Sequence, residues 1–446
     1  MHDAERVLDT QAKLALIAER ARREPQCRFT SLAHLLNERY LADSYHELGR
    51  DRASGVDGVT WKEYGRNLSE NLTGLVARMK AKQYKPQPAR RVYIPKDDGK
   101  QRPLGIMALE DKIVQKGMSR ILEAIYEADF LDCSHGFRPR RGCHTALKAV
   151  DERIMTGPVN HVVEIDIRQF FDRVSHRKLL RLLQIRIQDR NFLLLIWRFL
   201  KAGYLEAGQY VKTEEGTPQG GNLSPILSNI FLHYVLDLWF EREWKPTLEG
   251  HGTLVRYADD AVCLMQKKGE AERTREALKE RFARYELELH PEKTRVLSFG
   301  RYERENAERT GRKPNTFDFL GFTHYCGLSR RGKFMVNRLT SRKRFAKRCR
   351  EMNAWLRGIR NRLPAKEWWT TLRQKLRGHY EYYGISGNMW SLKRYYGAVI
   401  RMVRKWLNRR SQRRIYYWKR FQVYLTRFPL PKPRITRNMF TLSPVR

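Results

Sequence analysis

Asp259 and Asp260 stand side by side between two short apolar runs, Leu254-Val255-Arg256-Tyr257 and Ala261-Val262-Cys263-Leu264. Runs of this length and composition, broken by Ala-Asp-Asp, predict a buried strand, a tight turn and a second strand, with the carboxylates at the tip. Adjacent carboxylates at a rigid tip repel each other unless a cation neutralises them, and hard oxygen ligands suit Mg²⁺. An isolated Asp-Asp turn is more often simply solvated, so a third carboxylate decides its meaning. Asp166 is that candidate. It closes the short apolar strand Val162 to Ile167, and it lies 93 residues before Asp259, a separation that permits neighbouring strands of one sheet.

Other residues could serve the same chemistry. Arg90 to Ile106 reads as two β segments around Asp97-Asp98-Gly99-Lys100, a basic hairpin whose lysines and arginines could converge on a triphosphate or simply face solvent. Gly216-Thr217-Pro218-Gln219-Gly220-Gly221 is a loop whose glycines and proline fix a special backbone path. Such a path either brings Gln219 and peptide amides to a ligand or merely leads into the apolar helix predicted over 226–239. Cys133, His135, Cys143 and His144 raise the question of zinc, but their spacing does not suit a structural zinc site and fits packing and backbone contacts better.

Further elements must hold these residues in place. Helical periodicity is visible over 3–23, 31–40 and 61–82, and again over 270–287. Ser175 is placed to cap a helix running through Leu183. Strands are expected near 290–297 and 317–322, giving an α+β fold with helices on one face of a sheet.

Composition narrows the partner. The 446 residues allow about two to four domains, and 41% hydrophobic content is ample for a core. A net charge of +39 exceeds what solubility requires and implies a polyanion, nucleic acid before membrane. Residues 341–446 carry 29 Lys and Arg against 3 Asp and Glu, and six of the ten Trp lie beyond 338. This region predicts basic helices whose aromatics mostly form the core while one charged face meets its ligand. Six scattered cysteines without a C-x-x-C pair suit a reducing cytoplasm, bacterial in this reading, and no apolar run is long enough to span a bilayer. No fixed-period repeat is present.

Together these blocks resemble the reverse transcriptases encoded by group II introns, the intron maturases of bacterial type. The resemblance is carried by Gly55-Val56-Asp57-Gly58, Ile94-Pro95-Lys96, Ser134-His135-Gly136-Phe137-Arg138-Pro139, Asp166 with Phe170-Phe171-Asp172, Thr217-Pro218-Gln219-Gly220, Tyr257-Ala258-Asp259-Asp260 and Phe319-Leu320-Gly321-Phe322. It implies an α+β right-hand polymerase: a helical N-terminal extension over 1–60, fingers and palm over 61–337, a basic helical thumb or maturase domain over 338–430, and a short basic tail over 431–446. It implies that Asp166, Asp259 and Asp260 hold two Mg²⁺ ions, that Lys96 and Arg102 grip the triphosphate, that Gln219 lines the templating pocket, and that Lys293 protonates the leaving group. Phe171 would pack beneath the incoming sugar and disfavour a 2′-hydroxyl. Arg409, Arg410, Arg413 and Arg414 would bind RNA.

The implied activity is RNA-directed DNA synthesis from dNTPs on an RNA template with a DNA primer, joined to binding of intron RNA for splicing and insertion into target DNA. Two other readings stand beside it: an RNA-folding maturase with a vestigial polymerase, and a domesticated reverse transcriptase in defence, spacer acquisition or repair. The chain ends at Arg446 without the His-Asn-His endonuclease motif of many relatives, so it is expected not to cleave the second target strand itself.

Overall fold

The computed structural model describes residues 2–95, 101–217, 220–329, 331–410 and 415–439. It divides into two compact units, one formed by 1–146, 163–263 and 269–295, the other by 147–162, 264–268 and 296–446.

The first unit begins with helices α1 (His2–Arg23), α2 (Glu38–His46), α3 (Trp61–Arg66) and α4 (Leu68–Lys80). A hairpin of β1 (Ala89–Pro95) and β2 (Gln101–Ile106) follows, then α5 (Leu109–Tyr126). Helix α5 is the unit's central beam: Ile113, Val114, Met118, Ile121, Leu122 and Ile125 are wholly buried, and α1, α2 and α10 (Ser224–Leu232) pack on it. Burial of this kind contributes roughly 1.5–3 kcal/mol per large aliphatic side chain, before the entropy of ordering the chain is subtracted.

Two predicted helices are redrawn here. Residues 31–40 form a short 3₁₀ turn over Ala33–Leu35 before α2, because the Asn37 side chain accepts a hydrogen bond from the Tyr40 amide and sets a new helix start. The single helix expected over 61–82 is broken at Asn67, which separates α3 from α4. Thr60 and Glu63 form a reciprocal capping box at the start of α3.

After α6 (Cys143–Thr156) come β3 (His161–Asp166), the one-turn α7 (Phe170–Arg173), α8 (His176–Leu183) and α9 (Arg190–Lys201). Ser175 occupies the predicted cap position of α8 but makes no capping hydrogen bond. Asp189 is the stronger cap. Its carboxylate accepts from the Asn191 and Phe192 amides of α9 and from the Leu32 and Ala33 amides, tying the N-terminal segment to the unit. Burial alone would raise this carboxyl, but the four amides hold it below the usual carboxylate range.

Strands β4 (Tyr204–Glu206) and β5 (Gln209–Val211) extend the basic hairpin into a sheet of order β2-β1-β4-β5, with β4 parallel to β1. A second group of strands comprises β6 (Gly252–Tyr257), β7 (Asp260–Met265) and β3, side by side in that order. Between α10 and β6 the apolar helix predicted over 226–239 does not stay α-helical. It widens into π turns over His233–Asp237 and Trp239–Trp244.

Helix α11 (Lys268–Ala283) is the last helix of the first unit, which runs to Arg295, and most of the second unit follows it. The second unit contains β8 (Val296–Ser298), α12 (Glu303–Arg309), and a sheet of β9 (Thr316–Phe319), β10 (Phe322–Leu328) and β11 (Phe334–Thr340) in the order β11-β10-β9. Its helices are α13 (Arg342–Ile359), α14 (Ala365–Tyr383), α15 (Met389–Asn408) and α16 (Trp418–Arg427). Helix α15 packs on α13, α14 and β11, burying Leu392, Tyr395, Val399, Val403 and Trp406. Trp368, Trp369, Tyr380, Tyr383, Tyr395, Trp406 and Phe421 are core, whereas Trp390, Tyr417, Trp418 and Phe428 are exposed, and most of the described arginines among them face outward. Among the described residues, no helix is long and apolar enough to cross a membrane.

Candidate active site

The acidic turn is built as the two short apolar runs predict. Every residue of β6 from Gly252 to Arg256 is buried, β7 buries Ala261 to Met265, and Ala258 and Asp259 form the link between them. Ala258 has φ +54°, a left-handed conformation that costs a non-glycine residue of order 1 kcal/mol or more. Neighbouring groups must hold it there. Gly136 packs so closely that a Cβ at that position would lie 2.4 Å from the Ala258 nitrogen. The Arg256 guanidinium donates to the Ala258 carbonyl at 2.9 Å.

Asp166 sits at the end of β3, and its own carbonyl accepts from the His290 amide at 2.8 Å. Burial pushes the Asp259 carboxyl above the usual carboxylate range, and the Asp166 charge raises it further against its own backbone amide, Arg102 and Arg256. That coupling means the two carboxylates share one electrostatic neighbourhood. Lys293 is drawn into it as well, with Nζ 2.7 Å from Asp166 Oδ2.

Asp260 begins β7 and is exposed. Among the described residues, no three His, Cys, Asp or Glu side chains are gathered tightly enough to form a ready-made metal cage. The donor set nevertheless fits a hard divalent cation, being all carboxylate oxygen, with like charges in conflict and an ammonium already resting on one of them.

Phe171 lies on α7, half-buried, with its ring edge-on to Phe170 at a centroid distance of 5.4 Å. It lines a cavity of about 420 Å³ together with Arg91, Gly105, Gln169, Tyr204 and Thr217, within the size range of small-ligand sites. The loop after β5 is stitched to this cavity. Thr217 donates its amide to the Phe171 carbonyl at 2.6 Å, and Gly216 donates to Val174 at 2.8 Å and accepts from His176 Nε2 at 2.6 Å. At Gly220, φ is +109° and a Cβ would meet the Gly105 carbonyl of β2 at 2.6 Å, so this glycine is required for the loop to lie against the hairpin.

The predicted residues thus divide into three groups. Asp166, Asp259, Asp260, Phe171 and Lys293 belong to adjoining segments of the first unit, with Arg102 opposite Ile94 in the basic hairpin and within electrostatic reach of Asp259. Lys96 and Gln219 lie outside the described residues, as do Arg413 and Arg414. Arg409 and Arg410 follow the end of α15 in the second unit, exposed, with Arg409 over the Trp406 ring at 5.5 Å.

Arg256, Asp237, Asn229 and Ser134, which no motif in the sequence marks as functional, are all buried behind the turn. The available signal was a charged residue inside an otherwise apolar strand, which demands a buried partner. Cys133 and His135, weighed for zinc, instead supply backbone to this assembly: the Cys133 carbonyl accepts from the Arg256 amide and the His135 amide donates to the Arg256 carbonyl. The His135 ring pairs with Thr145 Oγ1 at 3.0 Å.

Comparison with known proteins identifies the family. A sequence family described as reverse transcriptase (RNA-dependent DNA polymerase) matches residues 94–324. The group II intron-encoded protein LtrA of Lactococcus lactis subsp. cremoris is 41% identical over 242 residues, covering 52% of this chain and 40% of that protein. Protein YkfC of Escherichia coli K12 is 34% identical over 307 residues, covering 60% of this chain and 79% of its own length. A 91 kDa protein in a cob intron of Schizosaccharomyces pombe is 42% identical over 222 residues, 50% of this chain and 27% of that protein. The chain therefore spans two fifths of the length of the Lactococcus relative. Its mixture of helices and small sheets is consistent with the right-hand polymerase fold.

Proposed function

Because the chain belongs to the reverse transcriptase (RNA-dependent DNA polymerase) family, we propose that it copies RNA into DNA at Asp166, Asp259 and Asp260 and binds the intron RNA that encodes it. The family works on nucleic acid and depends on divalent metal in general; the finer assignment to two Mg²⁺ ions is part of the proposal. The observation that carries it is the sheet order, which sets β7 beside β3, so that the Asp259-Asp260 turn leads into the strand next to the one that ends at Asp166, where Lys293 Nζ lies 2.7 Å from Oδ2. The cavity lined by Phe171 supports it from the substrate side.

Bound divalent ions supply the acidity of the primer 3′-hydroxyl and the neutralisation of the triphosphate and departing pyrophosphate. The chain's own groups do the rest. Asp166, Asp259 and Asp260 hold the cations; Lys96 and Arg102 bind the triphosphate, the arginine as a fork and the lysine as a point charge. Gln219 faces the templating base, and Phe171 packs under the sugar. Lys293, with Nζ 2.7 Å from Asp166 Oδ2, is placed to donate a proton to the pyrophosphate as it leaves. We further assign 61–337 to fingers and palm and 338–430 to the thumb, where Arg409, Arg410, Arg413 and Arg414 contact RNA phosphates.

Primer extension on an RNA template with Mg²⁺ tests the polymerase. Asp259→Asn is expected to reduce extension by at least about 10³-fold while template-primer affinity stays within a few-fold of wild type. Loss of both together would assign the carboxylate to folding instead. A second reading, an RNA-folding protein with a silent polymerase, draws on the outward basic faces of α13 to α15. Intron RNA binding by a wild-type protein that extends no primer would favour it.

A further inference from the structure

Arg256 is completely buried, and so is its carboxylate partner Asp237. All five guanidinium N–H donors are used. Nε and one Nη donate to the two Asp237 oxygens at 2.7 and 2.5 Å, the same Nη donates to Ser134 Oγ at 2.7 Å, and the other reaches Asn229 Oδ1 at 3.0 Å and the Ala258 carbonyl at 2.9 Å. Asn229 completes a ring by donating to the Gly136 carbonyl at 2.6 Å, and Gly136 is the residue packed on the Ala258 nitrogen.

The helical segment behind β6 is shaped for this arrangement. Residue 237 lies eight positions after 229, and on a regular α-helix that places it about 80° further round the axis. The π turn over His233–Asp237 advances less per residue, so Asn229 and Asp237 both meet the same guanidinium. A buried ion pair is weak evidence for stability, since well-packed apolar residues can replace it at little cost. Its distinguishing bond is the one to Ala258, the strained residue immediately before Asp259.

We propose that Arg256, oriented by Asp237 and Asn229, is a positioning residue that fixes the acidic turn in its left-handed conformation and so sets the separation of Asp259 from Asp166. The device rests on the reading that these carboxylates bind the catalytic cations. It requires the planar fork: a lysine offers three donors from a single point and cannot serve Asp237, Asn229, Ser134 and Ala258 together.

The full-length protein tests this with Arg256→Lys and with the paired change Arg256→Met/Asp237→Leu, each followed by thermal unfolding, Mn²⁺ binding detected by electron paramagnetic resonance, and single-turnover primer extension. The lysine variant is expected to lose roughly 10- to 100-fold in the rate of nucleotide addition, with the KM for dNTP and template-primer affinity within about three-fold of wild type. The apolar pair is expected to recover the melting temperature but not the rate, and to bind Mn²⁺ at least ten-fold more weakly. Recovery of rate and Mn²⁺ affinity along with stability would make the network merely structural and overturn the proposal, as would a lysine variant that works at the wild-type rate. If wild-type protein extends no primer, the polymerase reading fails; the Mn²⁺ comparison then still decides whether Arg256 positions the carboxylates.

Discussion

Phe171 is held from two sides, by the Phe170 ring and by the Thr217 amide on its carbonyl, so its half-buried ring enters the cavity from a fixed backbone. A ring fixed in this way can exclude a 2′-hydroxyl by volume alone. Phe171→Ala is expected to reduce the preference for deoxynucleotides over ribonucleotides by roughly 10- to 100-fold, with deoxynucleotide addition less affected; paired incorporation assays measure the ratio, and an unchanged ratio removes Phe171 from the sugar pocket. The carboxylates stood out in the sequence because the metal chemistry proposed for them demands their residue type. Arg256 was not, because its importance lies in four partners drawn from three separate segments, and no spacing along the chain reveals that a guanidinium will have every donor used.

At the level of elements, the hairpin bearing Asp259 was readable from its short apolar runs, as was the pairing of Arg90–Pro95 with Gln101–Ile106. Helix ends were less so. Asn37 and Asn67 redirected two helices through local backbone geometry, and the π turns after α10 arise from tertiary demand at Asp237, which periodicity does not encode. The three-stranded sheet yields a prediction of its own. His324 in β10 is fully buried and stacked on Phe317 at 4.6 Å, and burial, with the Arg338 charge, pushes its pKa down to about 3. The unfolded chain then binds the proton that the folded one refuses, so this histidine costs nothing above about pH 6.5 and destabilises progressively as pH falls below that value. At pH 5 the cost is about 2 kcal/mol. His324→Phe preserves the stack and is expected to remove that share of the stability lost between pH 7 and pH 5; equal acid sensitivity in denaturant titrations of the two proteins would show that the folded state accommodates the charged ring.

On the scale of the whole molecule the dominant fact is charge: a net +39, with 29 cationic against 3 anionic side chains beyond residue 340. Such a field attracts any polyanion, and much of the resulting affinity arises from release of counterions from the nucleic acid. Salt dependence therefore separates phosphate contact from other contributions. Arg409 and Arg410 are exposed at the end of α15, whose aromatic side is sealed by Trp406, so their removal leaves the helical core intact. If each contacts one phosphate, Arg409→Gln/Arg410→Gln should flatten the plot of log affinity against log salt by about 1.4 to 1.8, while melting temperature and the sequence preference of binding stay as in wild type. A weaker complex with an unchanged slope would mean that the two arginines act by shaping the end of α15, and the phosphate contacts would then have to be sought on the outward faces of α13 and α14.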